Sequence, residues 1–208
     1  MTEAVTDCVG RSPRLILASA SPRRASLMQE YGYRFDIVPP PLEEPDHLAA
    51  DATPMQRAEA LSYFKARSVA TLVSAGIVLA GDTVVALADR VFGKPVDRDD
   101  ARHILASLSG TTHHVITAVT LLDASTGDRL IRHDSTAVTM KPLSDVELEA
   151  YLDTDAWVGK AGAYGIQDRG DAFVTATEGS FTNVVGFPME LVGDMLAEWG
   201  VTPQLAHR

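Results

Sequence analysis

Leu15-Ile-Leu-Ala-Ser19-Ala-Ser21-Pro22-Arg23-Arg24-Ala-Ser-Leu27 is the stretch on which the fold turns. Leu15 to Ala18 is an apolar run of strand length, Ser21 is a good helix N-cap, and Pro22 sits where the first helical residue would be. A strand therefore feeds straight into a helix start. Free backbone N–H groups, the positive end of the helix dipole and the guanidinium groups of Arg23 and Arg24 converge there. Such a spot suits phosphate. The plainer alternative is a basic pair on a solvated helix face, since cations near a helix start are mildly unfavourable and can be incidental.

Outward from this stretch, the first helix should run from Pro22 to about Tyr31, with Leu27, Met28 and Tyr31 toward the core and Gly32 as a left-handed stop. Tyr33 to Val38 alternates apolar and polar residues, the pattern of a half-buried strand. Pro39-Pro40-Pro41-Leu42-Glu43-Glu44-Pro45 excludes helix and central strand, leaving an extended loop with two carboxylates. Thr53-Pro54 opens a second helix, with Met55, Ala58, Leu61, Val69, Leu72 and Val73 at helical spacing. Lys65 falls on its buried side. A lysine there is costly unless it meets an anion or snorkels to the edge of the core.

Ile77 to Ala80 is a second apolar strand, ending in Gly81-Asp82-Thr83, with Val84 to Leu87 extended beyond it. An acid inside such a run should be paired, metal-bound or catalytic. Phe92-Gly93-Lys94-Pro95 reads as a tight turn presenting another lysine. Asp97 caps a helix to about Leu108, His113 to Leu122 and Leu130 to Met140 form a hairpin, and Ser144-Asp-Val-Glu147 is a capping box. His113 and His114 point to opposite strand faces, which argues against a shared metal. Gly159 to Gly170 fits neither the dinucleotide fingerprint nor the P-loop and reads as a loop where backbone approaches something closely. Phe173 to Thr177 is a last strand, Gly179 to Phe187 a loop containing Asn183, and Pro188 to Trp199 a final helix stopped by Gly200.

Alternating helices and strands without repeats or a linker predict one α/β unit over residues 14–208, after a loose N-terminal arm at residues 1–13. The central hairpin suggests a mixed sheet and a smaller second lobe, with the cleft where the loops after the first and third strands meet. The 208 residues carry a formal net charge of -10, which argues against a general nucleic-acid binder. The single cysteine, Cys8, excludes an internal disulfide and a thiolate metal cluster. No secretory signal and no membrane-spanning run are visible, so a cytoplasmic protein is expected. A symmetric homodimer is the default assembly.

Ser21, Arg23, Arg24, Glu44, Lys65, Asp82 and Lys94 together supply cations for phosphate oxygens and two acids for a hard divalent ion. That tally suits a nucleoside triphosphate with Mg²⁺ or Mn²⁺. The sequence also resembles the Maf family, known as septum-formation inhibitors and nucleoside triphosphate pyrophosphatases. Ser19 to Arg24, Glu43-Glu44, Lys65-Ala66, Asp82-Thr83, Gly93-Lys94-Pro95, Gly159 to Gln167, Glu178 to Ser180 and Asn183 to Gly186 match its motifs in order.

The resemblance implies a mixed twisted sheet flanked by helices, with two lobes around a central cleft, the Maf/ITPase-like arrangement. It also implies a nucleoside triphosphate diphosphatase that cleaves between the α and β phosphates, cleansing the nucleotide pool with a divalent metal. By resemblance Asp82 is the catalytic acid, as base or through the metal, and Glu44 a metal or water partner. Ser21, Arg24, Lys65 and Lys94 resemble phosphate ligands. Arg23, Thr83 and Gln167 are similar to the triple of the subfamily acting on dTTP and UTP, and a glutamine amide suits a pyrimidine edge. A modified pyrimidine nucleotide would fit as well. Ser26, Ala118 and Asp168-Arg169 depart from the family pattern. The rival readings are a non-catalytic nucleotide-binding regulator of division and an aspartyl phosphatase or nucleotidyltransferase, although no Asp-x-Asp begins at Asp82.

Overall fold

The computed structural model describes residues 13–41, 51–167 and 172–204. Most of the expected N-terminal arm, Cys8, the Glu43-Glu44 pair and Asp168-Arg169 lie outside the described residues. Strand β1 (Leu15–Leu17) is buried throughout and leads into α1 (Pro22–Glu30), whose N-cap Ser21 is extended and whose first residue is proline. Leu27 and Met28 are buried as expected. Tyr31 is not: it is 42% exposed, because regular helix has ended at Glu30 and Gly32, at φ +80°, turns the chain.

The strand expected over Tyr33 to Val38 shrinks to β2 (Asp36–Ile37), exposed at the sheet edge beside β1. Helix α2 (Pro54–Ala70) opens with a reciprocal capping box between Thr53 and Gln56. It buries Ala58, Ser62, Lys65, Ala66 and Val69. Met55, in its first turn, and Leu72, beyond its end, are exposed instead of joining the core. Strand β3 (Ile77–Leu87) does not stop at Gly81; it runs unbroken through Asp82, and β4 (Arg90–Phe92) folds back on its end.

Asp97 caps α3 (Arg98–Leu108) by accepting from the Asp100 amide. Strands β5 (Thr112–Asp123) and β6 (Arg129–Met140) form the expected hairpin, and Ser144 opens α4 (Asp145–Leu152) with its capping box. After β7 (Val174–Glu178), the expected loop contains a short helix, α5 (Phe181–Val185), whose cap is the Ser180 side chain accepting from the Asn183 amide. Helix α6 (Met189–Glu198) closes the fold, with Gly200 at φ +71° after it.

The sheet order is β2-β1-β3-β5-β6-β7, with β4 also on β3. Pairing is parallel among β2, β1 and β3 and antiparallel elsewhere, the mixed sheet the sequence suggested. Side chains alternate along β3. Val78, Ala80, Val84 and Ala86 pack on the face covered by α2. On the other face Ile77 and Leu79 join the α1 and α6 cluster, whereas Val85 joins a second cluster built by α3 and α4. Gly81, Asp82 and Thr83 lie between the two. Among the described residues, no helix is long and apolar enough to cross a membrane.

Candidate active site

Strand β3 has two partial neighbours on one edge. β1 pairs with it only as far as Leu79, and β4 only from Val85 onward. Residues 80–84 therefore border a notch in the sheet. The Ala18 amide still donates to the Leu79 carbonyl at 2.8 Å. At the next carbonyl on that edge, Gly81, the donor is Arg24 Nη1 at 2.7 Å, a side chain standing where a strand would continue. Arg24 Nε donates to the Gly186 carbonyl at 2.9 Å and Nη2 to Thr83 Oγ1 at 3.0 Å, while the guanidinium stacks over Phe187 at 5.1 Å. Only glycine fits at position 81, because a Cβ there would lie 2.4 Å from Phe187 Cε1.

The notch opens into a cleft of about 510 Å³. Ser21, Arg23, Arg24, Lys65, Asp82, Thr83, Lys94 and Gln167 all line it, so residues spread over most of the chain meet at one place. Glu44 lies outside the described residues. The cleft differs from expectation in one respect: it opens on the middle of β3 rather than at a loop after it. A strand that lacks a neighbour exposes its edge, and both Asp82 and Thr83 reach the opening from opposite faces.

On the α2 face, Lys65 Nζ donates to Asp82 Oδ1 at 2.5 Å, and the two residues are 9% and 6% exposed. Burying either charge alone would cost several kcal/mol, so the pair explains how an acid can sit in an apolar strand. Oδ2 remains as a further acceptor on the same carboxylate. At the other side of the opening, Ser19 to Arg24 bring the start of α1 to the cleft wall. Proline at the first helical position leaves the Arg23 and Arg24 amides as the next donors there. Arg24 itself faces protein acceptors, which sets it apart from Arg23.

On the opposite face of β3, Val85, Val115, Tyr164, Ile166, Val184 and Val185 make the wall apolar. Gly162, at φ +75°, places its amide 3.1 Å from the Gly93 carbonyl, and a Cβ there would lie 2.8 Å from Val85 Cγ2. The close backbone approach expected of this glycine-rich segment is therefore real, and it carries Gln167 to the cleft. His113, fully buried, pairs through Nε2 with the Tyr164 hydroxyl at 2.7 Å. Burial, with a smaller contribution from His114, pushes its pKa down to about 4, so the ring is neutral near pH 7. Burial also pushes the Tyr164 hydroxyl pKa up.

Sequence reasoning did not single out Lys160, Tyr164 or Thr117. Lys160 is a buried residue of the cleft wall whose ammonium donates to the Ala156 carbonyl. A lysine between glycine and alanine in a segment called to close approach was the available signal. Thr117 gave none, being one threonine among several on β5.

A family model described as Maf-like protein matches residues 14–199. The dTTP/UTP pyrophosphatase of Moorella thermoacetica is 43% identical over 188 residues, covering 90% of this chain and 96% of that protein. The dTTP/UTP pyrophosphatase of Ruminiclostridium cellulolyticum is 41% identical over 182 residues, 88% and 94% of the two chains. That of Carboxydothermus hydrogenoformans is 41% identical over 187 residues, 90% and 99%. With the mixed sheet, the cleft and the ordered motifs agreeing along nearly its whole length, the chain belongs to the Maf family.

Proposed function

We propose that the protein hydrolyses nucleoside triphosphates between the α and β phosphates, releasing a monophosphate and pyrophosphate, with dTTP, UTP or modified pyrimidine nucleotides as substrates. The observation that carries this reading is the buried Lys65–Asp82 pair at a notch in the sheet, inside a cleft with one cationic and one apolar wall. The names of the relatives support the same chemistry.

Phosphoryl transfer needs in-line positioning and charge neutralisation more than covalent chemistry. Arg23, Lys94, Ser21 and the amides at the start of α1 would hold the phosphate chain, and Lys65 stands beside Asp82 to share that work. Lys65 fixes Oδ1, which leaves Asp82 Oδ2 to accept a proton from the water that attacks the α phosphorus. The bond to the bridging oxygen then breaks and pyrophosphate leaves. The apolar wall would receive the base, with Thr83 and Gln167 at its polar edge.

The donor set fits a hard divalent cation: Mg²⁺ prefers a carboxylate with phosphate oxygens and water, which Glu44 and the substrate would supply, and Asp82 would hold it through a water rather than by direct contact. When bound, such a cation would neutralise phosphate charge and acidify water. The test is a panel of ribo- and deoxyribonucleoside triphosphates with Mg²⁺ or Mn²⁺, scored for pyrophosphate. dTTP and UTP should lead the ranking. Binding of nucleotide with no pyrophosphate from any of them would overturn the reading and leave a nucleotide sensor.

A further inference from the structure

The hydroxyl of Thr83 sits in a hydrogen-bond relay whose two ends leave no choice of direction. At one end is Arg24 Nη2, which can only donate, 3.0 Å from Thr83 Oγ1. Thr83 Oγ1 lies 2.9 Å from Thr117 Oγ1. Thr117 Oγ1 in turn reaches the Asn183 carbonyl at 3.3 Å, and that oxygen can only accept. Thr117 and Asn183 are fully buried, so an unmet carbonyl there would find no water. The Thr117 proton therefore goes to Asn183, and the Thr83 proton goes to Thr117. A hydroxyl has one proton and two lone pairs. Thr83 spends the proton on Thr117 and one lone pair on Arg24, leaving a single lone pair for the cleft.

We infer that Arg24 and Thr117 fix Thr83 as an acceptor-only group, so that Thr83 selects a nucleobase presenting an N–H at that point. This deepens the proposed function and rests on it. Thr83 shares its strand face with Val85, the face of the apolar wall where the base would lie. The imide N–H of uracil and thymine satisfies an acceptor, whereas the ring nitrogen of cytosine at the same place offers only a lone pair. Two lone pairs facing each other across a dry contact repel. Arg24 is accordingly a positioning residue that closes the notch and sets the polarity of its neighbour. Thr117 acts on specificity from beneath the cleft wall.

The test compares kcat/KM for UTP and CTP, with Mg²⁺, in the wild type, Thr117→Val and Thr117→Ser. Valine keeps the shape of threonine and removes the acceptor for the Thr83 proton, so Thr83 can turn that proton toward the cleft. The preference for UTP over CTP should narrow about tenfold in Thr117→Val and stay within about twofold of wild type in Thr117→Ser, which restores the relay. A folded Thr117→Val with the wild-type ratio would overturn the inference. Should Thr117→Val not fold, the wild-type protein decides with UTP methylated at the imide nitrogen. A drop of about tenfold or more in kcat/KM supports an acceptor at that point, and undiminished turnover overturns it. If the wild type releases no pyrophosphate from UTP or dTTP, the proposed function falls first and takes the inference with it.

Discussion

Asp82 and Thr83 are adjacent in the chain and meet opposite chemistries on the two faces of β3. The α2 face holds a charged acid satisfied by one direct partner, Lys65. On the other face a neutral hydroxyl is satisfied by a chain of groups drawn from α1, β5 and α5. Charge demands a close counter-ion wherever it is buried, so the first arrangement concentrates its energy in a single contact. A hydroxyl accepts many partners, and its behaviour follows from what those partners are themselves bonded to. In the function proposed above, the first face carries the bond-breaking step and the second carries recognition.

The contrast is most strongly tested at Asp82. Asp82→Asn should lower pyrophosphate release by about 1,000-fold while calorimetry shows nucleotide binding largely retained. A variant with wild-type turnover would remove the charged face from the chemistry. Lys65→Met leaves the Asp82 carboxylate buried without its counter-ion and should cost about 3–5 kcal/mol in denaturant unfolding. The double variant Lys65→Met with Asp82→Asn should recover much of that loss, and simple additivity would show that the pair does not act as a unit.

On the neutral face the sensitive group is His113. The unfolded chain takes up its proton near pH 6.5, whereas the folded protein does so only near pH 4, because burial opposes the charge. Between those values the unfolded state binds more protons, so acidification favours unfolding. The stabilisation is complete above about pH 6.5 and lost as pH falls toward 4, on the order of 3 kcal/mol. A folded His113→Phe should have a flatter stability profile across that window, and an unchanged acid limb would assign it to other groups.

Gly81→Ala, placed against Phe187, should cost about 1–3 kcal/mol and reduce turnover by shifting the notch. The smallest effect is expected at Gln167, where Gln167→Glu removes the amide donor and should re-rank the nucleotides by about tenfold with little change in melting temperature. An unaltered ranking would show that base selection lies elsewhere than Gln167.

What the sequence revealed follows the same division. The Ser21-Pro22 start of α1, the capping boxes at Thr53 and Ser144 and the burial of Lys65 are local consequences of residue type and spacing. Asp82 could be singled out because a carboxylate in an apolar strand has few explanations. The notch could not, since it depends on where β1 and β4 stop along β3, a matter of tertiary pairing. Nor could the direction taken by Arg24: beside Arg23 it reads as another phosphate ligand, and only folding reveals the Gly81 and Gly186 carbonyls waiting for it. Periodicity places Tyr31 and Leu72 in the core, yet both are exposed, because it does not say where a helix outruns its sheet.

The cleft around Asp82 is proposed to direct water to the α phosphorus. The most direct test is the identity of the products when the purified protein turns over dTTP with Mg²⁺, resolved by ion-exchange chromatography. Equal amounts of dTMP and pyrophosphate are predicted, with release lost in Asp82→Asn. Formation of dTDP and inorganic phosphate would contradict the account.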